Sequence, residues 1–202
     1  MKKIILLGTG GHAKVCADVI EREKKYKIIG FVGKTSENKK KFINYPVLGA
    51  DRDLEKIKKK CSNIFIAIGQ IKNLFLREKL FNKLILMGFN LPSIFSSTSY
   101  VSKKAKINKG SIIMHKAIVN PEVKIGSNCI INTRSIIEHG VKVGSHTHIS
   151  TGVILNGDCQ IGNNSFIGSG TVLKEGVKIG NRCIIGMGQI IKKDIRDDKK
   201  IY

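Results

Sequence analysis

An aliphatic residue stands at every sixth position from Val101 to Ile191 without a break, and this period determines what the second half of the chain can fold into. The series runs through Ile107, Ile113, Val119, Ile125, Ile131, Ile137, Val143, Ile149, Leu155, Ile161, Ile167, Leu173, Ile179 and Ile185. Six-residue periods of this kind are β-helix repeats, in which short strands stack coil upon coil. Two positions earlier the side chain is mostly small: Ala105, Ser111, Ala117, Cys129, Ser135, Thr147, Ser165, Thr171 and Cys183. Strand alternation points both positions to the same side, so together they should line a narrow interior. Cys129, Cys159 and Cys183 fall in the small slot and are expected to be core filler rather than reactive thiols.

Three repeats make one triangular coil of eighteen residues, so the residues just before the aliphatic ones sort into three outward faces. One carries Tyr100, Ile118, Ile136, Ile154, Val172 and Ile190. A second carries Lys106, Lys124, Lys142, Gln160 and Lys178, and the third Ile112, Ile130, His148, Phe166 and Ile184. Two apolar faces and a basic one imply self-association. A homotrimer in which each apolar face meets the other kind on a neighbour is the simplest closed arrangement. His148, the one polar residue on its face, is then a candidate for a site between subunits.

The first half has a different pattern. Lys3–Leu7 reads as a buried strand, and Gly8-Thr9-Gly10-Gly11-His12-Ala13 turns into a helix through about Glu23. Further strands are expected at Lys27–Val32 and Asn63–Ile68, and helices at Asp51–Lys60 and Leu74–Met87. The fold class is therefore an α/β N-terminal domain, a small parallel βαβ unit of Rossmann-like type, followed by a parallel β-helix. The domain boundary is expected near the Pro92 and Ser/Thr stretch, giving 1–95 and 96–202.

Charge narrows the partners. Lys+Arg number 36 against 15 Asp+Glu, a formal +21, which gathers anions of any kind. The lysines are dispersed and aromatic residues make up only 6%, so nucleic acid is not expected. Ile4–Leu7 is shorter than the ~7–15 apolar residues of a signal peptide, and no run reaches the ~18 of a membrane span. Five cysteines without a C-x-x-C pair fit a reducing compartment, so a cytoplasmic location is expected.

Two places carry chemistry. The glycine turn matches G-x-G-x-x-A between strand and helix, where a phosphate can sit. However, Gly33-Lys34 replaces the acidic residue that a dinucleotide ribose needs after the second strand. In the β-helix, His139 lies in a turn beside Glu138, with Gly157 stacked one coil later. A base near neutral pKa and a backbone donor are the parts an acyl transfer needs. Four histidines (His115, His139, His146, His148) raise the alternative of a zinc site, but the spacing of a three-ligand set is missing and no metal is expected.

Together the hexapeptide run, Gly8-Thr9-Gly10-Gly11-His12-Ala13-Lys14, Ala67-Ile68-Gly69 and Glu138-His139 resemble the sialic-acid and bacillosamine-type sugar acetyltransferases. The resemblance implies a left-handed β-helix that holds acetyl-CoA between the subunits of a trimer, and an N-terminal domain that holds the sugar substrate. It implies His139 as general base, Gly157 as oxyanion donor, and His148, Gly152, Gly170, Gly186, Met187 and Gly188 along the acetyl-CoA. It also implies Gly8, Gly10, Gly11, His12, Gly33, Lys34 and Gly69 around the substrate. The family places an acid directly after the histidine, whereas here that residue is Gly140, which leaves Glu138 or a group outside the motif to orient the ring. The implied activity is N-acetylation of a nucleotide-linked 4-amino-4,6-dideoxy sugar. O-acetylation of a sialic-acid-like nine-carbon sugar is the alternative, and a non-catalytic anion-binding trimer the remote one.

Overall fold

Lys2–Leu7 (β1) opens with two exposed lysines and continues as an apolar run whose Ile4, Ile5 and Leu6 are fully buried, as expected of a strand covered on both faces. It is flanked in parallel by β2 (Tyr26–Val32) and β5 (Ile64–Ile66), with Ile5 opposite Ile64 and Leu6 opposite Phe65. These details come from a computed structural model that describes residues 1–34, 36, 41–71 and 73–202. Helix α1 (Gly11–Glu23) buries Ala13, Cys16, Ala17, Val19 and Ile20, one stripe at helical spacing, and ends at Lys24 in the left-handed conformation. A 3₁₀ turn at Asp51–Asp53 leads into α2 (Leu54–Lys58), so the helix expected over Asp51–Lys60 is shorter and begins tighter. In α3 (Leu76–Leu86), Asn73 Oδ1 accepts from the Phe75 and Leu76 amides and so starts the helix.

The sheet is mixed rather than purely parallel. β3 (Lys41–Phe42) and β4 (Tyr45–Gly49) form an antiparallel hairpin, and the strand order is β3-β4-β2-β1-β5. Its two turn residues, Ile43 and Asn44, both have positive φ, +42° and +69°. Such turns are normally announced by Asn-Gly or Asp-Gly. Ile43 in this role hides the hairpin from a sequence reading.

From β6 (Ile94–Phe95) to β23 (Lys200–Ile201), two-residue strands stack in parallel into sheets of six, five and seven strands, forming a parallel β-helix. The register is one coil: Ile118 pairs with Ile136, Lys124 with Lys142 and Ile130 with His148. The every-sixth aliphatic residues from Ile113 to Ile191 form its buried core. The small slot has a polar purpose as well as a steric one. Ser111, Thr147, Ser165 and Thr171 each donate to a turn carbonyl fifteen residues on, at 2.8–2.9 Å. Cys129 and Cys159 reach the equivalent carbonyls of Gly144 and Lys174 at 3.1 and 3.0 Å. A buried carbonyl without a donor is costly, so these rungs explain why the slot takes Ser, Thr and Cys as well as Ala. All five cysteines are buried and outside any disulfide, and burial pushes the Cys129 thiol up to about 11.

Contacts divide the chain into two units, Met1–Gly69 with Lys79–Pro92, and Gln70–Glu78 with Ser93–Tyr202. The second unit thus includes a segment that a linear division near residue 95 does not place there. The outward faces differ correspondingly from the sequence expectation. The first face is open, with Tyr100 57%, Ile118 36% and Ile190 70% exposed. The third is largely covered within a single chain: Ile112, Ile130, His148 and Phe166 are buried and Ile184 is half-buried. Of the two apolar faces expected to be bare, the first is the more exposed in the single chain.

Candidate active site

In the β-helix, His139 follows β13 (Ile136–Ile137), in a turn between the first and second faces. Its exposed ring leans toward the next coil and occupies the space above Gly157. A Cβ on Gly157 would stand 2.7 Å from His139 Cε1 and 2.8 Å from Nε2. Among the described residues no side chain hydrogen-bonds the His139 ring, and the Gly157 N–H has no acceptor. Glu138 does not hold the imidazole; its Oε2 accepts from Asn120 Nδ2 at 2.8 Å, one coil earlier. Gly140 has φ +70°, and a Cβ there would collide with Asp158 Oδ1. The carboxylate over the position after the histidine is therefore supplied by the neighbouring coil.

His148 is built differently. Gln70, in the segment grouped with this unit, accepts from His148 Nδ1 at 2.7 Å through its backbone carbonyl. A carbonyl only accepts, so Nδ1 carries the proton, and Nε2 faces the Asn132 amide at 3.1 Å. Phe166 lies edge-on at 5.2 Å. Burial pushes the His148 pKa down to about 4, against the raising effect of the Gln70 bond, so the ring is neutral. The Gln70 side-chain amide also donates to the His146 carbonyl at 2.7 Å. Arg77, fully buried, donates to Asn128 Oδ1 at 2.7 Å, and Asn128 in turn faces His146 Nδ1 at 3.0 Å. Gln70 and Arg77 were invisible to the sequence reading, because they lie 51 to 78 positions from the β-helix residues they bond and share no period with them. Asn132, sixteen positions from His148, was not singled out.

Three of the expected cofactor-binding glycines stand in one column. Gly152, Gly170 and Gly188 repeat at one-coil spacing, each with nothing within 4 Å of where a side chain would begin. The same column carries Lys116 and Arg134 lower down, so the left-handed turn itself tolerates side chains. Its upper part is instead a bare backbone strip, with exposed Met187 beside it. Gly186 is not part of the strip, since a Cβ there would meet Ile201 O at 3.1 Å and Tyr202 Cα at 3.2 Å.

The first unit brings most of the expected substrate residues together. The ends of β1 and β5 meet so closely that a Cβ on Gly8 would lie 2.8 Å from Ile68. Gly10 caps α1 without a side-chain bond, and Gly10 and Gly11 both face open space. A Cβ on Gly69 would come to 3.6 Å from His12. Gly33 and Lys34 line a separate depression of about 460 Å³ with Ala50, Asp51 and Arg52, so an acid does stand after the second strand, contributed by a later turn. Elsewhere, His115 Nδ1 faces Ser96 Oγ at 2.6 Å, and among the described residues no three His, Cys, Asp or Glu side chains are gathered to hold a metal. A groove of about 710 Å³ along the lysines of the second face does not include His139.

Comparison with known families finds two matches along the chain. The PglD N-terminal domain matches residues 3–84, and the GMPPB C-terminal domain matches residues 95–200. The chain belongs to the PglD-type hexapeptide-repeat sugar N-acetyltransferases. Among solved structures, this acetyltransferase is similar to a histidine-to-asparagine variant of perosamine N-acetyltransferase from Caulobacter crescentus, in complex with CoA and GDP-perosamine. The two are 27% identical with a TM-score of 0.92, over 98% of this chain and 92% of that one. It is also similar to the acetyltransferase domain of PglB from Neisseria gonorrhoeae in complex with acetyl coenzyme A. Here identity is 28% and the TM-score 0.91, over 98% and 95% of the chains. A comparison with curated proteins finds no match. Among the described residues no helix is long and apolar enough to cross a membrane.

Proposed function

We propose that the protein transfers the acetyl group of acetyl-CoA to the amine of a nucleotide-linked 4-amino-4,6-dideoxy sugar, with His139 as general base. The observation that carries this reading is the His139 ring seated over Gly157, whose N–H has no acceptor among the described residues. The imidazole takes a proton from the acceptor amine as its nitrogen attacks the thioester carbonyl. The Gly157 amide faces the oxygen that becomes negative, which is where a preorganised donor contributes most. As the tetrahedral intermediate collapses, the C–S bond breaks and His139 returns the proton to the departing sulfur. His148, neutral and with both ring nitrogens engaged by Gln70 and Asn132, does not compete for that proton. The bare strip of Gly152, Gly170 and Gly188 gives an extended pantetheine arm a smooth surface.

The uncapped N-terminus of α1 at Gly10 and Gly11 suits a sugar-nucleotide phosphate, and Lys34, Asp51 and Arg52 suit the polar remainder of the nucleotide. Binding of CoA and GDP-perosamine by the Caulobacter enzyme supports this substrate class. A formal +21 gathers two anionic substrates. The open first face supports a homotrimer, and the reduced, buried cysteines support a cytoplasmic setting. Sedimentation equilibrium should give three chains, with Ile136→Lys lowering the mass.

Thiol release from acetyl-CoA against a panel of UDP- and GDP-linked 4-amino-4,6-dideoxy sugars, with free and CMP-linked sialic acids beside them, tests the activity. Release with an amino-sugar nucleotide is expected. Release only with the nine-carbon sugars, or none despite bound acetyl-CoA, overturns the proposal.

A further inference from the structure

Residues 139, 140, 157 and 158 are the corners of one cell between two successive coils. Each coil contributes one glycine and one functional side chain to it, in opposite order: His139-Gly140 below, Gly157-Asp158 above. The backbone joins them directly, the Asp158 N–H donating to the His139 carbonyl at 2.9 Å. His139 rises along one edge of the cell into the space that Gly157 leaves. Asp158 descends along the adjoining edge into the space that Gly140 leaves, its Oδ1 lying where a Cβ on residue 140 would be. Imidazole and carboxylate therefore run side by side in opposite directions, on columns one residue apart. Neither could do so if the glycine facing it carried a side chain.

We infer that Asp158 is the positioning residue of His139: its carboxylate, seated over Gly140, limits the swing of the imidazole and stabilises the imidazolium formed during acetyl transfer. Catalytic contacts often tighten only when substrate is bound, and an opposite charge that comes close at that point favours the charged form of a base. Neighbouring acids are placed otherwise. Glu138 is held by Asn120, Glu175 pairs with Lys174 at 3.8 Å, and Glu122 belongs to the coil before. Asp158 moves no proton; the acceptor's proton passes to His139 alone. The inference rests on His139 being the base.

Four proteins test it: the parent, Asp158→Asn, the reciprocal swap Gly140→Asp with Asp158→Gly, and His139→Ala. Asn keeps the size of Asp and tolerates the left-handed backbone at position 158, where φ is +60°. Asp at 140 faces the same φ requirement and gains room once residue 158 is glycine. With acetyl-CoA and an amino-sugar nucleotide, Asp158→Asn should lower kcat about tenfold to a hundredfold, part of the ~10²–10⁴ that a positioned base contributes. KM for acetyl-CoA should stay within about twofold, and the swap should recover most of the lost kcat. A parent-like kcat in Asp158→Asn, with His139→Ala inactive, overturns the positioning role. So does a swap no faster than Asp158→Asn. Parent-like turnover in His139→Ala overturns the base assignment instead, and this inference with it.

Discussion

Two histidines nine residues apart, His139 and His148, occupy opposite extremes of what a β-helix can do with an imidazole. His139 stands in an exposed turn, its ring touched by no hydrogen bond among the described residues and backed by a glycine. His148 is 5% exposed, with Nδ1 bound to Gln70, Nε2 facing Asn132 and Phe166 against its edge. One ring is open to solvent and to a reacting group; the other is locked as a single neutral tautomer. The difference comes from position in the hexad. A turn residue meets only the coil above and below it, whereas an outward strand residue is buried wherever another segment of the chain lies across it.

The largest expected effect falls on the open ring. His139→Asn keeps a polar side chain of similar reach but accepts no proton, so turnover should fall by roughly 10²-fold or more. Its urea unfolding midpoint should not move. The locked ring should show the reverse, in stability rather than rate. His148 has a folded-state pKa of about 4 against an ordinary 6.5, so the unfolded chain binds the proton more tightly. Stability is thus lost as pH falls from about 6.5 to about 4, by up to roughly 3 kcal/mol, and the loss then levels off. Urea titrations across that range should show this decline, and a variant with His148→Gln should lack it. A smaller effect is expected on the glycine strip. Gly170→Asn adds a side chain that the left-handed turn accepts, so KM for acetyl-CoA should rise about tenfold while melting barely changes. The smallest effect tests the interior: Cys129→Ser keeps a donor for the Gly144 carbonyl and should cost no more than about 1 kcal/mol by chemical denaturation.

What the sequence revealed was whatever repeats. The period placed Ile113 through Ile191 in the core, set Cys129, Cys159 and Cys183 in the small slot, and stacked Gly157 on His139. What it concealed was whatever arrives from outside the period. Gln70 covers His148 from a segment with no hexad of its own, so the third face looked bare when it is largely covered. The β3–β4 hairpin turns on Ile43-Asn44, a pair without the usual turn chemistry. Asp158 was within reach, because it lies one coil above Gly140. However, residue spacing alone does not say that its side chain points back toward the coil below, which only the clash with a Cβ on residue 140 reveals.

The Ser, Thr and Cys rungs inside the β-helix have a mechanical consequence. Each rung ties a coil only to its neighbour, and the strand pairs do the same. Load applied at Tyr202 would therefore meet one coil at a time: first the pairing of Lys200–Ile201 with Ile184–Ile185, then each turn below in succession. Pulled from that end, the molecule should yield as a staircase of small, evenly spaced extensions, and the coil that holds His139 would keep its shape until the coils above it had peeled away.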